Sequence, residues 1–222
     1  MNVLDLFSGI GGFSLGLERA GMRTVAFCEI EPYCRAVLRK HWPDVPIYND
    51  IRSVRGIRAD VVTGGFPCQP FSTASAGKRY GERHNSYLWP EMLRVIQEAN
   101  PSWVIGENVI GIESMALETV VSDLEAIGYE VAPPLEIPAC AVGHDHKRNR
   151  IWILAHAYKN GESSRTIDAE TPVLQGSDCN GDRMGETYGI PSELDKLRAL
   201  GNAVVPQIPE ILGRAILAAE AP

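Results

Sequence analysis

The segment Asp5-Leu6-Phe7-Ser8-Gly9-Ile10-Gly11-Gly12 constrains the fold more than any other stretch of the chain. A β-rich run, Val3 to Phe7, meets three closely spaced glycines and then a helical pattern, with Phe13, Leu17 and Ala20 on one face and Gly21 to end it. Glycines at such a turn let a ligand approach the backbone closely, beside a helix N-terminus. Glu29 stands 20 positions after Gly9, at the end of a second β-rich run, Thr24 to Cys28. A carboxylate there is placed to hold ribose hydroxyls. The pair predicts a site for a nucleoside-containing cofactor at one end of a parallel sheet, which a nicotinamide dinucleotide and S-adenosylmethionine both satisfy. Ser14 stands where the dinucleotide fingerprint has its third glycine, which leans away from a pyrophosphate ligand.

The alternation continues. Glu31 to His41 reads as a helix led by Pro32, Asp60 to Gly65 as a strand, Ser86 to Ala99 as a helix and Trp103 to Glu107 as a strand. Ser114 to Ile127 is helical and stopped by Gly128, and Arg150 to Ala155 is a late strand. Alternating strands and helices predict an α/β fold, a parallel sheet flanked by helices. From Ala157 to Lys196 the periodicity lapses, with four basic against eight acidic residues. This interval is a small loop-rich lobe or a partly disordered insert. Leu197 to Ala219 regains helical periodicity. A length of 222 residues fits one domain with such an appendage.

With 45% hydrophobic residues the chain can bury a core, and no apolar run approaches the roughly 20 residues a bilayer span needs. Met1 to Phe7 lacks the basic lead-in of a secretory signal. A net charge of −7 excludes a protein that holds nucleic acid by bulk cationic charge. It leaves room for a local basic face at Lys147, Arg148 and Arg150. The five cysteines (28, 34, 68, 140 and 179) show neither a disulfide framework nor metal-ligand spacing. The expectation is a reducing cytoplasm and no metal.

Gly64-Gly65-Phe66-Pro67-Cys68-Gln69-Pro70-Phe71-Ser72 is the most informative stretch. A cysteine between rigid and permissive residues stands where a strand breaks off at the sheet's carboxyl edge, the edge at which open α/β sheets bind substrates. A depressed thiol pKa there makes a nucleophile; a buried structural cysteine is the other reading. The following loop, Thr73 to Asn85, with Gly77, Gly81, Lys78, Arg79 and Arg83, is expected to act as a mobile lid. Trp42, Trp103 and Trp152 are expected in or beside the core.

Five motifs in order, Phe7-Ser8-Gly9-Ile10-Gly11-Gly12, Pro67-Cys68-Gln69, Glu107-Asn108-Val109, Arg148-Asn149-Arg150 and Gly201-Asn202-Ala203-Val204, resemble those of the cytosine-5 DNA methyltransferase family. The chain is similar to a small, phage-like member of it. The resemblance implies a Rossmann-like S-adenosylmethionine-dependent methyltransferase fold: a mostly parallel twisted sheet, helices on both faces and a small loop-rich lobe. It divides the chain into a catalytic and cofactor-binding domain (1–156), a short target-recognition segment (157–196) and a C-terminal helix returning to the catalytic domain (197–222).

Residue by residue, the resemblance makes Cys68 the nucleophile that attacks carbon 6 of cytosine. Glu107 engages ring nitrogen 3 and the amino group, and so needs a raised pKa. Arg148, and less directly Arg150, support the base carbonyl and the catalytic loop. S-adenosyl-L-methionine is cradled by Phe7 and Leu88 through apolar contact and by the turn Gly9, Ile10, Gly11 and Gly12. Glu29 lies at the ribose, Ile30 on the adenine face, Asp50 with Ile51 at the adenine amino group, and Asn202 with Val204 close the pocket. The implied partner is double-stranded DNA with its target cytosine flipped out, met in the cytoplasm at the nucleoid, with no membrane.

Two departures from the family pattern stand out. His146 replaces a glutamine two positions before the first arginine, and the recognition interval is short and acidic. Few side chains then reach base edges, so relaxed specificity, weak DNA affinity or a compensating dimer or partner protein is expected. The alternatives are cytosine methylation in tRNA by the same mechanism, a non-catalytic DNA-binding remnant and an NAD-dependent oxidoreductase. The last leaves Pro67-Cys68-Gln69 unexplained.

Overall fold

A computed structural model describes residues 1–67, 87–114, 116–143, 145, 148–158 and 199–221. The elements run β1 (Asn2–Leu6), α1 (Gly12–Ala20), β2 (Arg23–Cys28), α2 (Pro32–His41), β3 (Ile47–Tyr48), β4 (Val61–Gly64) and α3 (Trp89–Ala99). They continue β5 (Trp103–Val109), α4 (Leu117–Ala126), β6 (Tyr129–Val131), β7 (Leu135–Pro138), β8 (Asn149–Ala157) and α5 (Gln207–Ala219). One sheet holds the strands in the order β3-β2-β1-β4-β5-β8-β6, with β7 also on β8. The pairs from β3 to β5 are parallel, and those made by β8 are antiparallel. The α/β architecture with a mostly parallel sheet is the expected one.

Strand alternation sorts the core into two layers. Leu4, Leu6, Val62, Val104, Ile151 and Ile153 face α3 and α4 and pack with Trp89, Met92, Ile96, Val120 and Leu124. Val3, Val61, Trp103, Ile105 and Trp152 face the other way, against Phe13 and Leu17 of α1 and Ile208, Leu212 and Ile216 of α5. Trp103 and Trp152 are core residues as expected, and Trp42 is half-buried against Phe27. Helices α1 and α5 approach closely because glycines stand at the crossing. A Cβ at Gly16 would lie 2.2 Å from the Pro206 carbonyl oxygen, and one at Gly213 would lie 2.9 Å from the Ala20 Cβ.

Several boundaries differ from the periodicity. The helix expected over 114–127 is α4, which begins at Leu117, and Ser114 instead closes a preceding 3-10 turn, Ile110–Ser114. The C-terminal helix proper begins at Gln207, with a separate helical turn at 199–202. Cys28 and Cys34 are buried, whereas Cys140 is disulfide-bonded. Spacing along the chain does not foretell that cross-link, because disulfide geometry depends on distance in space. The lid expectation for 73–85 and the lobe from 159 to 196 lie outside the described residues. No helix among the described residues is long and apolar enough to cross a membrane.

The serine at the third-glycine position has a structural task. Asp5 of β1 is fully buried, and its carboxylate accepts hydrogen bonds from Ser14 Oγ (2.8 Å) and Thr63 Oγ1 (2.9 Å). These bonds tie α1 and β4 to the central strand. Burial still dominates, pushing Asp5 up from 3.8 to about 7. The native state therefore binds this proton more tightly than the unfolded chain does. Stability from this group is full at low pH and is lost as pH rises between these two values. We expect thermal unfolding of the wild type to show that decline and Asp5→Asn to show a shallower one; equal slopes would contradict the assignment.

Candidate active site

Phe7, at the end of β1, has φ 53°, and Gly9 and Gly11 follow with φ 54° and 90°. A left-handed conformation costs a residue with a Cβ about 1–2 kcal/mol, so Phe7 is held there by its surroundings. Beneath the turn, a Cβ at Gly11 would meet the Trp42 ring at 2.7 Å; above it, a Cβ at Gly9 would meet nothing within 4 Å. The turn is thus seated on α2 and open toward the sheet edge.

Glu29 closes one side of this opening. It is buried, and its Oε2 accepts from the Gly9 amide (2.6 Å) while Oε1 accepts from the Glu31 amide (2.7 Å). Arg35 of α2 fixes the same corner by donating to the carbonyls of Glu29 (3.1 Å) and Ile30. Ile30 is 66% exposed, an apolar side chain presented beside the acid. Asp50 caps a 3-10 turn, Ile51–Ser53, by accepting from the Arg52 amide (2.9 Å). Glu29 and Asp50 both stand near Cys28, where burial first and then these acids raise the thiol to about 12. Its surroundings thus favour the protonated thiol. Phe7, Ile51 and Leu88 share the α3-side core layer, Leu88 at the start of α3. An open cradle, an acid at the strand end and an exposed apolar side chain fit a nucleoside.

The second half of the site lies where β4 and β5 end and β8 begins. Parallel pairing aligns Gly64 with Gly106, so Gly65 arrives beside Glu107. A Cβ on Gly65 would lie 3.1 Å from Glu107 Oε2. Across the sheet, Arg150 Nε pairs with Glu107 Oε1 at 3.0 Å. Register explains this: Arg150 stands opposite Val109 and two residues from Glu107's partner Trp152, a diagonal neighbour on the same face. The Glu107 carboxyl is buried, which raises its pKa; Arg150 and then Arg148 oppose that shift, and burial prevails.

Arg148 occupies a different place from Arg150. Its φ is 29°, and its guanidinium donates to the carbonyls of Gly201 and Ala203 (3.0 Å for the latter). Val204 then packs against Gly12, while Asn202 is exposed. Cys68 lies outside the described residues, one beyond Pro67. In the sequence Asn108 stands between Glu107 and Val109 with no task of its own. It is buried, and it donates Nδ2 to the Phe66 carbonyl (2.9 Å) while Oδ1 accepts from the Val109 amide (3.0 Å). The amide thereby ties the strand bearing Glu107 to the segment leading to Cys68. A side-chain amide next to a strand-end acid is the signal that points to such a tie.

The glycine turn, the strand-end acid and the mostly parallel sheet with helices on both faces make a Rossmann-like fold. DNMT2 of Spodoptera frugiperda has the same fold, with a TM-score of 0.63 at 20% identity over 75% of this chain and 53% of that one. The family model of C-5 cytosine-specific DNA methylases matches residues 1–181, and the chain belongs to that family. It is 36% identical over 169 residues to the type II methyltransferase M2.BsuMI of Bacillus subtilis, covering 72% of this chain and 43% of that protein. It is likewise 36% identical over 164 residues to the type II methyltransferase M.Eco47II of Escherichia coli, covering 69% and 39%. The matches thus span less than half of these curated relatives.

Asn108→Ala leaves the buried Phe66 carbonyl and the Val109 amide without partners. The expected loss of stability is about 1–3 kcal/mol, read by denaturant unfolding; an unchanged midpoint would show that the amide bears no such load.

Proposed function

We propose that the chain transfers a methyl group from S-adenosylmethionine to carbon 5 of cytosine in DNA. The observation that most supports this is the carboxyl of Glu107. It is buried, with a raised pKa, and stands between Gly65 and Arg150 directly beside the segment that leads to Cys68. The family membership and the likeness to type II methyltransferases point the same way.

Carbon 5 of cytosine is a weak nucleophile. In the proposed reaction the Cys68 thiolate adds to carbon 6 of a flipped-out base, which turns the ring into an enamine with electron density at carbon 5. Glu107, protonated, donates at ring nitrogen 3 as that charge develops; its dry seat favours the form that donates. Arg150 keeps the carboxyl oriented, and Arg148 joins the same end of β8 to the C-terminal segment. S-adenosylmethionine, when bound, supplies the methyl group that carbon 5 takes. Loss of the carbon 5 proton then expels the Cys68 sulfur and restores the ring.

The residues proposed to hold S-adenosylmethionine are Phe7, Gly9, Ile10, Gly11, Gly12, Glu29, Ile30, Asp50, Ile51, Leu88, Asn202 and Val204. In this reading residues 1–156 carry catalysis and cofactor binding, 157–196 contact the target and 197–222 complete the pocket. The short acidic interval gives a short or relaxed recognition sequence, or one set with help from a second copy or a partner protein.

Bisulfite sequencing of DNA from cells expressing the wild type is expected to show resistant cytosines that are lost with Cys68→Ala. Glu107→Gln should lower the rate by about 10²–10⁴-fold and flatten its alkaline decline. Full conversion of DNA from wild-type cells, with labelled methyl appearing in RNA instead, would overturn the choice of substrate.

A further inference from the structure

Arg148 presents a geometry that a residue reserved for the base does not need. Its left-handed backbone, φ 29°, stands at the entrance to β8, and both terminal nitrogens of its guanidinium are engaged by the Gly201 and Ala203 carbonyls. Those carbonyls belong to the segment that runs into α5. The next residue, Val204, lies so close to the glycine turn that a Cβ on Gly12 would come within 2.4 Å of the Val204 carbonyl oxygen. Two positions on, the Pro206 carbonyl rests on Gly16 of α1. The segment 201–206 is therefore pinned at one end by Arg148 and laid against glycine surfaces of α1 along the rest. Arg150, two residues away, holds Glu107.

We infer that Arg148 is a positioning residue that acts through residues 201–204, holding them as the C-terminal wall of the cofactor pocket, so that its loss weakens cofactor binding before any nucleic acid is present. This rests on the proposed S-adenosylmethionine site and assigns the division of labour within it: Arg150 serves the acid at the base, Arg148 the wall beside the glycine turn. A guanidinium suits the task because its fork reaches two carbonyls at once, which a lysine ammonium on a flexible stem does not reproduce. Burial beside Arg150 lowers the Arg148 pKa, yet the residue remains a cation with five donors.

The test is calorimetric titration of the full chain with S-adenosylhomocysteine in the absence of nucleic acid. Arg148→Ala is expected to weaken binding at least tenfold and Arg148→Lys to fall between it and the wild type. Arg214→Ala, which removes an exposed cation from α5, should stay within twofold. Hydrogen exchange supplies a second readout: amides 201–206 should exchange faster in Arg148→Ala while those of β5 keep their protection. Should Arg148→Ala not fold, Arg148→Lys decides the matter by the same two measurements. Binding within twofold of the wild type for a folded Arg148 variant overturns the inference and returns Arg148 to the base. Absence of binding by the wild type overturns the cofactor reading itself.

Discussion

A buried carboxyl beside an arginine at the ends of adjacent strands is the interaction on which the rest of the site depends. Glu107 and Arg150 meet only because β8 runs antiparallel to β5 in a register that makes them diagonal neighbours. Removing a carboxylate from water is costly, and a single ion pair rarely offsets the whole penalty. Here burial outweighs the two arginines and leaves the acid inclined to keep its proton. The sheet thus holds a carboxyl of raised pKa in a dry place next to the chain that leads to Cys68.

The surrounding scaffold is built to hold that place still. Asn108 bonds across to Phe66, linking the β5 end to the chain leaving β4. On the neighbouring strand, Asp5 gathers Ser14 and Thr63, so the helix behind the glycine turn and the strand before Cys68 share one buried anchor. Glu29 and Arg35 fix the far corner, each through backbone groups. Apart from the Nε of Arg35, which is buried without a hydrogen-bond partner among the described residues, these polar side chains are satisfied by main chain or hydroxyl, the arrangement that makes a buried network rigid rather than costly.

Much of this was legible in the sequence. The run from Val3 through Gly12 to Glu29 announces a strand, a glycine turn and an acid at the next strand end, because each depends on local pattern alone. Strands β1, β2, β4, β5 and β8 and helices α1, α2 and α3 follow from periodicity to within a few residues. β3, β6 and β7 escaped because they are two to four residues long and carry no alternation of their own. The separate tasks of Arg148 and Arg150 were hidden for a deeper reason. Two arginines two positions apart look equivalent in sequence, and only the left-handed backbone at Arg148, the register of β8 and the return of the C-terminal segment set them apart. Asn108 and Ser14 were unreadable in the same way, since their partners Phe66 and Asp5 are set by folding.

A duplex carrying 5-fluorocytosine in place of cytosine, incubated with the chain and S-adenosylmethionine, tests the central claim most directly. Fluorine at carbon 5 leaves no proton to remove, so the sulfur cannot be expelled and the adduct persists. The account predicts a denaturation-resistant protein–DNA complex whose cross-linked peptide contains Cys68. Methyl transfer to ordinary cytosine in the same DNA sequence, with no such complex or with the cross-link on another residue, would contradict it.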